Sequence, residues 1–87
     1  MKVRIPNPLL SYTHQARVVD AHGPTLDAVM RDLDRRFPGI RFRIIDEHQR
    51  VRRHIKLFVN STQADDDICK PLSESDEVMI VAALSGG

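Results

Sequence analysis

The sequence predicts a single α+β domain, and three features lead to this prediction. One apolar stripe with helical spacing lies between early and late extended segments. The last apolar segment shows no polar alternation, which is typical of a strand in the middle of a sheet. The chain has 87 residues, which is room for one small domain. We therefore expect a mixed sheet of four to five strands with one main helix packed on one face.

The first two extended segments predict a hairpin. Lys2–Ile5 alternates polar and apolar residues and meets Pro6-Asn7-Pro8, where proline removes backbone donors. Tyr12–Ala21 is extended in character, contains the β-branched pair Val18-Val19, and ends at the turn signal His22-Gly23-Pro24. Two antiparallel strands joined by a short turn are the simplest interpretation.

The segment that follows is the most periodic part of the chain and predicts an amphipathic helix. Thr25 is the expected N-cap, and Pro38-Gly39 ends the helix. The apolar positions fall at i, i+3, i+4, i+7 and i+11, which is one face of a helix, and they are Leu26, Val29, Met30, Leu33 and Phe37.

The later segments predict the rest of the sheet. Ile40–Ile45 is expected to be short and extended, Ile55–Asn60 to be a strand, and Ser61–Asp67 to be a polar loop. Glu77–Leu84 is expected to be the central strand and to run parallel to the first strand, because it is apolar throughout its length. This order of elements matches the β-grasp fold, and the order alone also fits a few other small α+β folds.

Composition and charge exclude several classes of protein. The formal net charge is +1, so no global field draws the chain to nucleic acid or to anionic membranes. Cys69 is the single cysteine, which forbids an internal disulfide and indicates a reducing, cytoplasmic location; we expect its side chain to be buried. The longest apolar run, Val78–Leu84, is too short to span a bilayer. We expect a cytoplasmic monomer that binds neither membrane nor nucleic acid.

Two other groups of residues allow rival interpretations. A basic stretch with Phe42 inside it leaves nucleic-acid binding open as a weaker alternative to a partner-facing or solvated hairpin; its members are Arg41, Arg43, Arg50, Arg52 and Arg53. The histidines show no ligand spacing with Cys69, so no metal site is expected; they are His14, His22, His48 and His54.

The C-terminal sequence Leu84-Ser85-Gly86-Gly87 carries the chemistry. We expect a domain over residues 1–84 and a flexible tail over residues 85–87 that follows directly from the central strand. Glycine lacks Cβ, so a diglycine end can pass through a narrow slot in another protein. An extended segment Ala83–Gly87 would reach about 17 Å. A free carboxylate is a poor electrophile, so chemistry at this end requires activation, for which the usual route is an acyl-adenylate made with ATP and magnesium.

Four segments together resemble the MoaD/ThiS family of ubiquitin-like sulfur-carrier proteins, and the resemblance covers essentially the whole chain. They are the helix opening Gly23-Pro24-Thr25-Leu26, the strand end Phe58-Val59-Asn60, the segment from Pro71-Leu72 to Asp76-Glu77-Val78, and the ending Leu84-Ser85-Gly86-Gly87. The ending and the Asp-Glu-Val strand entry are the most specific of these, whereas the helix is generic.

The resemblance implies that Gly87 is the modified residue. In the family, a partner resembling the ubiquitin-activating enzyme adenylates the terminal carboxylate with ATP and magnesium. A persulfide donor then supplies sulfur, and the resulting thiocarboxylate passes it to a sulfur-accepting synthase subunit. Leu84, Ser85 and Gly86 would form the tail. The chain would have no catalytic residues and would bind no cofactor or metal.

The resemblance leaves the sulfur acceptor open. Molybdopterin is favoured, with thiamine thiazole, cysteine, thiolated tRNA and specialised metabolites as other acceptors of carriers of this type. Ala82-Ala83 stands where many molybdopterin-type carriers have prolines, which weakens the choice of pathway more than the carrier role. The alternative function is a ubiquitin-like modifier or interaction module that forms amide bonds through the same terminus.

A partner-binding face is also expected on the sheet. If Val78 and Ile80 face the helix, strand alternation turns Met79 and Val81 outward, close to Phe58 on the neighbouring strand. Exposed apolar residues grouped in this way predict a docking surface for a partner protein.

Overall fold

The structure, a computed structural model, describes residues 1–83. It contains one five-stranded sheet with two helices and a 3₁₀ helix. The helices are α1, Leu26–Arg36, and α2, Ile40–Ile44, and the 3₁₀ helix is Asn7–Thr13. The strands are β1, Lys2–Arg4; β2, Val18–Asp20; β3, Ile55–Val59; β4, Thr62–Gln63; and β5, Glu77–Ala82.

The sheet places β5 at its centre. The strand order is β2-β1-β5-β3-β4, so β5 is paired on both edges. It runs parallel to β1, with Val3 opposite Val78, and antiparallel to β3, with Leu57 opposite Ile80. These four side chains are at most 2% exposed. The expected central position of the last strand, its parallel pairing with the first, and the inward face of β3 are therefore confirmed.

Helix α1 covers the inner face of the sheet. The Thr25 hydroxyl accepts a hydrogen bond from the backbone N–H of Ala28 at 3.1 Å, which caps the first turn as expected. Four of the five predicted stripe residues are completely buried, and Phe37 is half-buried; the buried ones are Leu26, Val29, Met30 and Leu33. Burial of this apolar stripe against the sheet stabilises the fold.

The connection between the first two strands differs from the expected short turn. Asn7–Thr13 is a 3₁₀ helix, and β2 is only three residues long, so most of Tyr12–Ala21 is not extended. Pro8 lies in the first turn of this helix, where a proline loses no hydrogen bond. Leu9 and Leu10 are buried, which anchors the turn in the core. The pairing of β1 with β2 is antiparallel, as predicted.

The segment Ile40–Ile44 forms helix α2 instead of the predicted extended piece. Gly39 has a φ of 95°, a left-handed conformation that reverses the chain after α1. The Asp34 carboxylate then accepts hydrogen bonds from the backbone N–H groups of Gly39 and Arg41, both at 3.1 Å. Ile40 and Ile44 are both completely buried, at the i and i+4 positions of one helix face. This tertiary burial outweighs the strand preference of the isoleucines.

Between β3 and β5, the structure differs from two predictions made from the sequence. Thr62–Gln63 forms the edge strand β4 inside the segment expected to be a loop, and it pairs with the end of β3. Cys69 is exposed, not buried. Its backbone N–H donates to the Asp67 carboxylate at 3.1 Å in a surface turn, and this turn holds the cysteine outside the core.

Candidate functional site

The three residues predicted for partner binding lie together on the sheet face opposite α1. Phe58 on β3 is directly opposite Met79 on β5. Val81 follows two residues later on β5 and therefore shares this face. Met79 and Val81 are each 37% exposed, and Phe58 is partly exposed. We call Phe58, Met79 and Val81 the outer patch. Its geometry agrees with the prediction.

Charged side chains frame the outer patch. Arg4 on β1 lies beside Met79 of β5, and its Nε donates to the Glu77 carboxylate at 2.9 Å. Lys56 is opposite Val81 on the other side of β5. An apolar centre with a polar border is the usual anatomy of a protein interface. The arrangement can therefore bury apolar surface against a partner while the charges fix orientation.

Asp76 and Glu77, which belong to the Asp-Glu-Val strand entry, have a structural role at the start of β5. The Asp76 carboxylate accepts hydrogen bonds from the Ser73 backbone N–H at 2.9 Å and from the Asn60 amide at 2.8 Å. The Asn60 side-chain oxygen in turn accepts from the Glu77 backbone N–H at 2.9 Å. The hydrogen bonds from Ser73 and Asn60 lower the pKa of Asp76. Together they fasten the start of β5 to the end of β3.

The far end of β5 is fastened in a similar way. Ile55 is opposite Ala82, and the Ala83 backbone N–H donates to the His54 carbonyl at 2.8 Å. The predicted carrier residues Leu84, Ser85, Gly86 and Gly87 lie outside the described residues. β1 pairs with β5 only as far as Met79, so β3 and the segment before it hold the chain from Ile80 to the last described residue.

A cavity beside this end of β5 was missed by the sequence analysis. Its walls include Tyr12, Phe42, Arg43, Arg52 and His54, together with Ala82 and Ala83, and we call it the root cavity. The position of Phe42 between two arginines was the available signal in the sequence. The approach of Tyr12 from the 3₁₀ helix was not foreseeable, because that segment was expected to be extended.

Metal-binding clusters and membrane-spanning helices are both absent from the described part of the chain. No group of three or more histidine, cysteine or acidic side chains within residues 1–83 is arranged to hold a metal ion. No helix within the same range is long and apolar enough to cross a membrane. The candidate functional features are thus the outer patch, the root cavity, and the strand that leads to the C-terminal sequence.

The mixed sheet, the helix across one face and the diglycine sequence after the central strand define a β-grasp protein of the ubiquitin-like class. The ThiS family model matches residues 3–87. The chain belongs to the ThiS family of sulfur carrier proteins, which are small protein carriers and not enzymes. The resemblance seen in the sequence is thereby confirmed.

Individual relatives agree with this assignment. The sulfur carrier protein CysO of Mycobacterium tuberculosis is 30% identical over an 89-residue alignment, which covers 98% of this chain and 96% of the relative. A crystal structure of the Amycolatopsis orientalis BexX/CysO complex contains a chain with a TM-score of 0.90 and 27% identity, covering 99% of this chain and 98% of that one. The crystal structure of M. tuberculosis CysO gives a TM-score of 0.88 and 29% identity, covering 95% and 98%.

Proposed function

We propose that the chain carries sulfur as a thiocarboxylate on its terminal residue, Gly87. The observation that carries the proposal is the course of β5. This strand is paired with β3 as far as Ala82 and with β1 as far as Met79, is fastened at both ends, and leads through Ala83 into Leu84-Ser85-Gly86-Gly87 in the sequence. A rigid domain can present such an end to the active site of another protein. Membership of the ThiS family supports the same role.

The chemistry takes place in two steps. A carboxylate oxygen of Gly87 attacks the α-phosphorus of ATP on the activating partner, and pyrophosphate leaves with magnesium. A hydrosulfide or persulfide sulfur then attacks the acyl carbon and expels AMP. With hydrosulfide the product is the thiocarboxylate itself; with a persulfide, a thiol must reduce the acyl disulfide that forms. The carrier contributes only the acyl group, and ATP and magnesium belong to the partner.

The outer patch is the proposed docking face for the activating enzyme and for the sulfur-accepting synthase subunit. It lies on the same strand that leads to the C-terminal sequence, so docking there fixes the direction in which that sequence enters the partner. The CysO chain crystallised with BexX belongs to a protein of the same fold. That complex supports the view that carriers of this shape act while bound to a second protein.

The sulfur acceptor depends on the synthase. The molybdopterin route favoured by the sequence gains no support from the relatives described above, which are CysO carriers. A cysteine-type acceptor is the better-supported route, in keeping with the alanines at positions 82 and 83. The reaction is proposed to occur in the reducing cytoplasm, where the exposed Cys69 stays a thiol.

Intact-mass spectrometry tests the proposal. The purified chain is incubated with the adenylyltransferase of the same organism, ATP, magnesium and sulfide. Exchange of one oxygen for sulfur should raise the mass by about 16 Da. Omission of ATP is the control. An unchanged mass in the complete reaction, or only isopeptide-linked adducts on other proteins, would contradict the carrier function.

A further inference from the structure

The root cavity is a basic, aromatic recess at the end of β5. Its volume is about 710 Å³, and it is lined by side chains from the 3₁₀ helix, from α2 and from the segment before β3. Ala82 and Ala83 form one wall, so the cavity opens at the point where the chain enters its C-terminal sequence. Pro8 and Ala82 also line the groove beside Met79 and Val81. The cavity is therefore continuous with the side of the outer patch.

Two arginines in the root cavity are held in position. The Arg52 guanidinium lies over the Phe42 ring, 4.5 Å from its centroid, and its Nε donates to the Phe42 carbonyl at 2.6 Å. Arg43 Nε donates to the Tyr12 hydroxyl at 2.7 Å, and this hydrogen bond raises the pKa of Arg43 further above its usual range. Each of these hydrogen bonds uses only Nε, so the terminal N–H groups of both side chains are left for a ligand.

The arginines of the root cavity differ from those of α1 in their ionic partners. On α1, Arg31 pairs with Asp27, and Arg35 and Arg36 pair with Asp32. Within residues 1–83, by contrast, none of the arginines between positions 43 and 53 forms an ion pair; they are Arg43, Arg50, Arg52 and Arg53.

One acidic side chain in this part of the chain, Asp46, is already engaged by backbone groups. The Asp46 carboxylate accepts the backbone N–H groups of Arg50 and His48, at 3.1 and 2.8 Å, and these bonds lower its pKa. It does not lie among the residues that line the root cavity. Within residues 1–83, Arg43 and Arg52 therefore form no ion pair with a carboxylate, and Arg52 acts on Asp46 only as a nearby charge that helps to lower its pKa.

We propose that the root cavity receives acidic side chains of the activating enzyme, from a protein surface beside the opening that takes the C-terminal sequence. This inference rests on the proposed function and adds the chemistry of the partner. Charge complementarity favours aspartate and glutamate there, and the planar guanidinium groups suit bidentate carboxylate contacts. The contacts speed encounter and fix the direction of entry, whereas the outer patch supplies the buried apolar area.

The test is steady-state kinetics of ATP–pyrophosphate exchange with the adenylyltransferase of the same organism. Arg43→Gln and Arg52→Gln should each raise the KM for the carrier about fivefold and leave kcat unchanged. Arg35→Gln is the matched control, because it removes the same charge from an exposed position on α1. Arg52→Lys keeps the charge but loses the bidentate contact, so its KM should lie between those of Arg52→Gln and the unaltered chain. Circular dichroism and thermal melting of each variant check the fold.

Salt dependence gives a second readout. The KM of the unaltered chain should rise with the concentration of sodium chloride. The double variant Arg43→Gln/Arg52→Gln should show a shallower rise. Equal KM values for Arg52→Gln and Arg35→Gln in an active reaction would overturn the inference and leave the proposed function intact. A chain that is never adenylated would defeat the proposed function first.

Binding of a 12-nucleotide single-stranded RNA probe, measured by fluorescence anisotropy, separates phosphate from carboxylate recognition. Weak RNA binding, together with the KM effect, supports an acidic protein partner. RNA affinity that depends on Arg43 and Arg52 while KM is unchanged would assign the cavity to nucleic acid instead.

Discussion

The backbone N–H of Ala83 donates to the carbonyl of His54 at 2.8 Å, one residue beyond the last pair of the β3–β5 ladder. The C-terminal sequence Leu84–Gly87 therefore starts from a fixed point. This relationship separates two requirements of a carrier. The scaffold needs an anchored strand, and the chemistry needs only the residues that follow it.

Deletion of Gly87 tests this separation. The truncated chain should lose adenylation completely, because the carboxylate of Gly86 would fall one residue, about 3.5 Å, short of the reaction centre. Its thermal melting temperature should equal that of the full chain, since no residue of the described core is touched. ATP–pyrophosphate exchange and thermal denaturation measure the two quantities. An active truncated chain would refute the role of Gly87.

Substitution of Asp for Phe58 tests the outer patch. A carboxylate opposite Met79 should raise the KM for the adenylyltransferase at least about tenfold, because a desolvated apolar contact is replaced by a charge. Val81→Asp, at a side chain that is 37% exposed, should have the same effect with little change in stability.

Val18→Asp is the matched control for the outer patch. Val18 is also exposed, at 41%, and it faces the same side of the sheet, but Arg4 on β1 separates it from Met79. Its KM should rise much less than that of Val81→Asp. If Val81→Asp is folded and binds normally, the outer patch is not the docking face.

Asp27 gives a prediction for acid stability. Burial alone would raise the pKa of this carboxyl, but hydrogen bonds from Arg41 Nη2 at 2.7 Å and from Arg31 Nε at 3.0 Å outweigh burial and lower it below the ordinary value of 3.8. Because the folded-state pKa of Asp27 is depressed, its ion pairs stabilise the folded chain. This stabilisation is fully present above the unfolded-state pKa and is lost as the pH falls through the folded-state pKa.

Urea unfolding at pH 7 and at pH 3 measures the Asp27 effect. Asp27→Asn should reduce the free energy of unfolding at pH 7 and reduce its loss between the two pH values. Asp66→Asn, at an exposed position, is the control. An equal acid loss in Asp27→Asn and the unaltered chain would show that the ion pairs of Asp27 contribute nothing to acid stability.

Gly23 tests the packing of the segment before α1. A Cβ at this position would lie 2.7 Å from the backbone carbon of Ala28 and 2.7 Å from the backbone nitrogen of Val29. Backbone atoms of a capped helix turn cannot move aside cheaply, so Gly23→Ala should destabilise the domain by about 1–3 kcal/mol. Ala28→Ser, on the other side of the contact, is a control for a change of similar size. Unaltered stability of Gly23→Ala would contradict the described packing.

The sequence predicted the elements whose residues follow a clear period. The stripe from Leu26 to Leu33 and the alternation from Ile55 to Val59 are both found as expected, because burial on one face selects apolar residues at fixed spacing. Helix α2 was missed because its stability comes from two isoleucines that contact a core built by distant segments. The intrinsic conformational preference of isoleucine favours a strand, so local sequence alone does not predict this helix.

The same contrast applies to the site. The outer patch could be predicted, since strand alternation places Met79 and Val81 on one face without further information. The root cavity could not, because it requires the 3₁₀ helix to bring Tyr12 to Arg43 from 31 residues away in sequence. Contacts of this kind depend on chain path and not on local pattern.

The most direct test of the central claim is to locate the added sulfur. Fragmentation of the reacted chain in a mass spectrometer should place an increase of about 16 Da on the C-terminal fragment that contains Gly87. The exposed Cys69 is the competing position, where a persulfide would add about 32 Da, and Cys69→Ser should leave the C-terminal increase intact. Sulfur found only at Cys69, with an unmodified C-terminal fragment, would contradict the account.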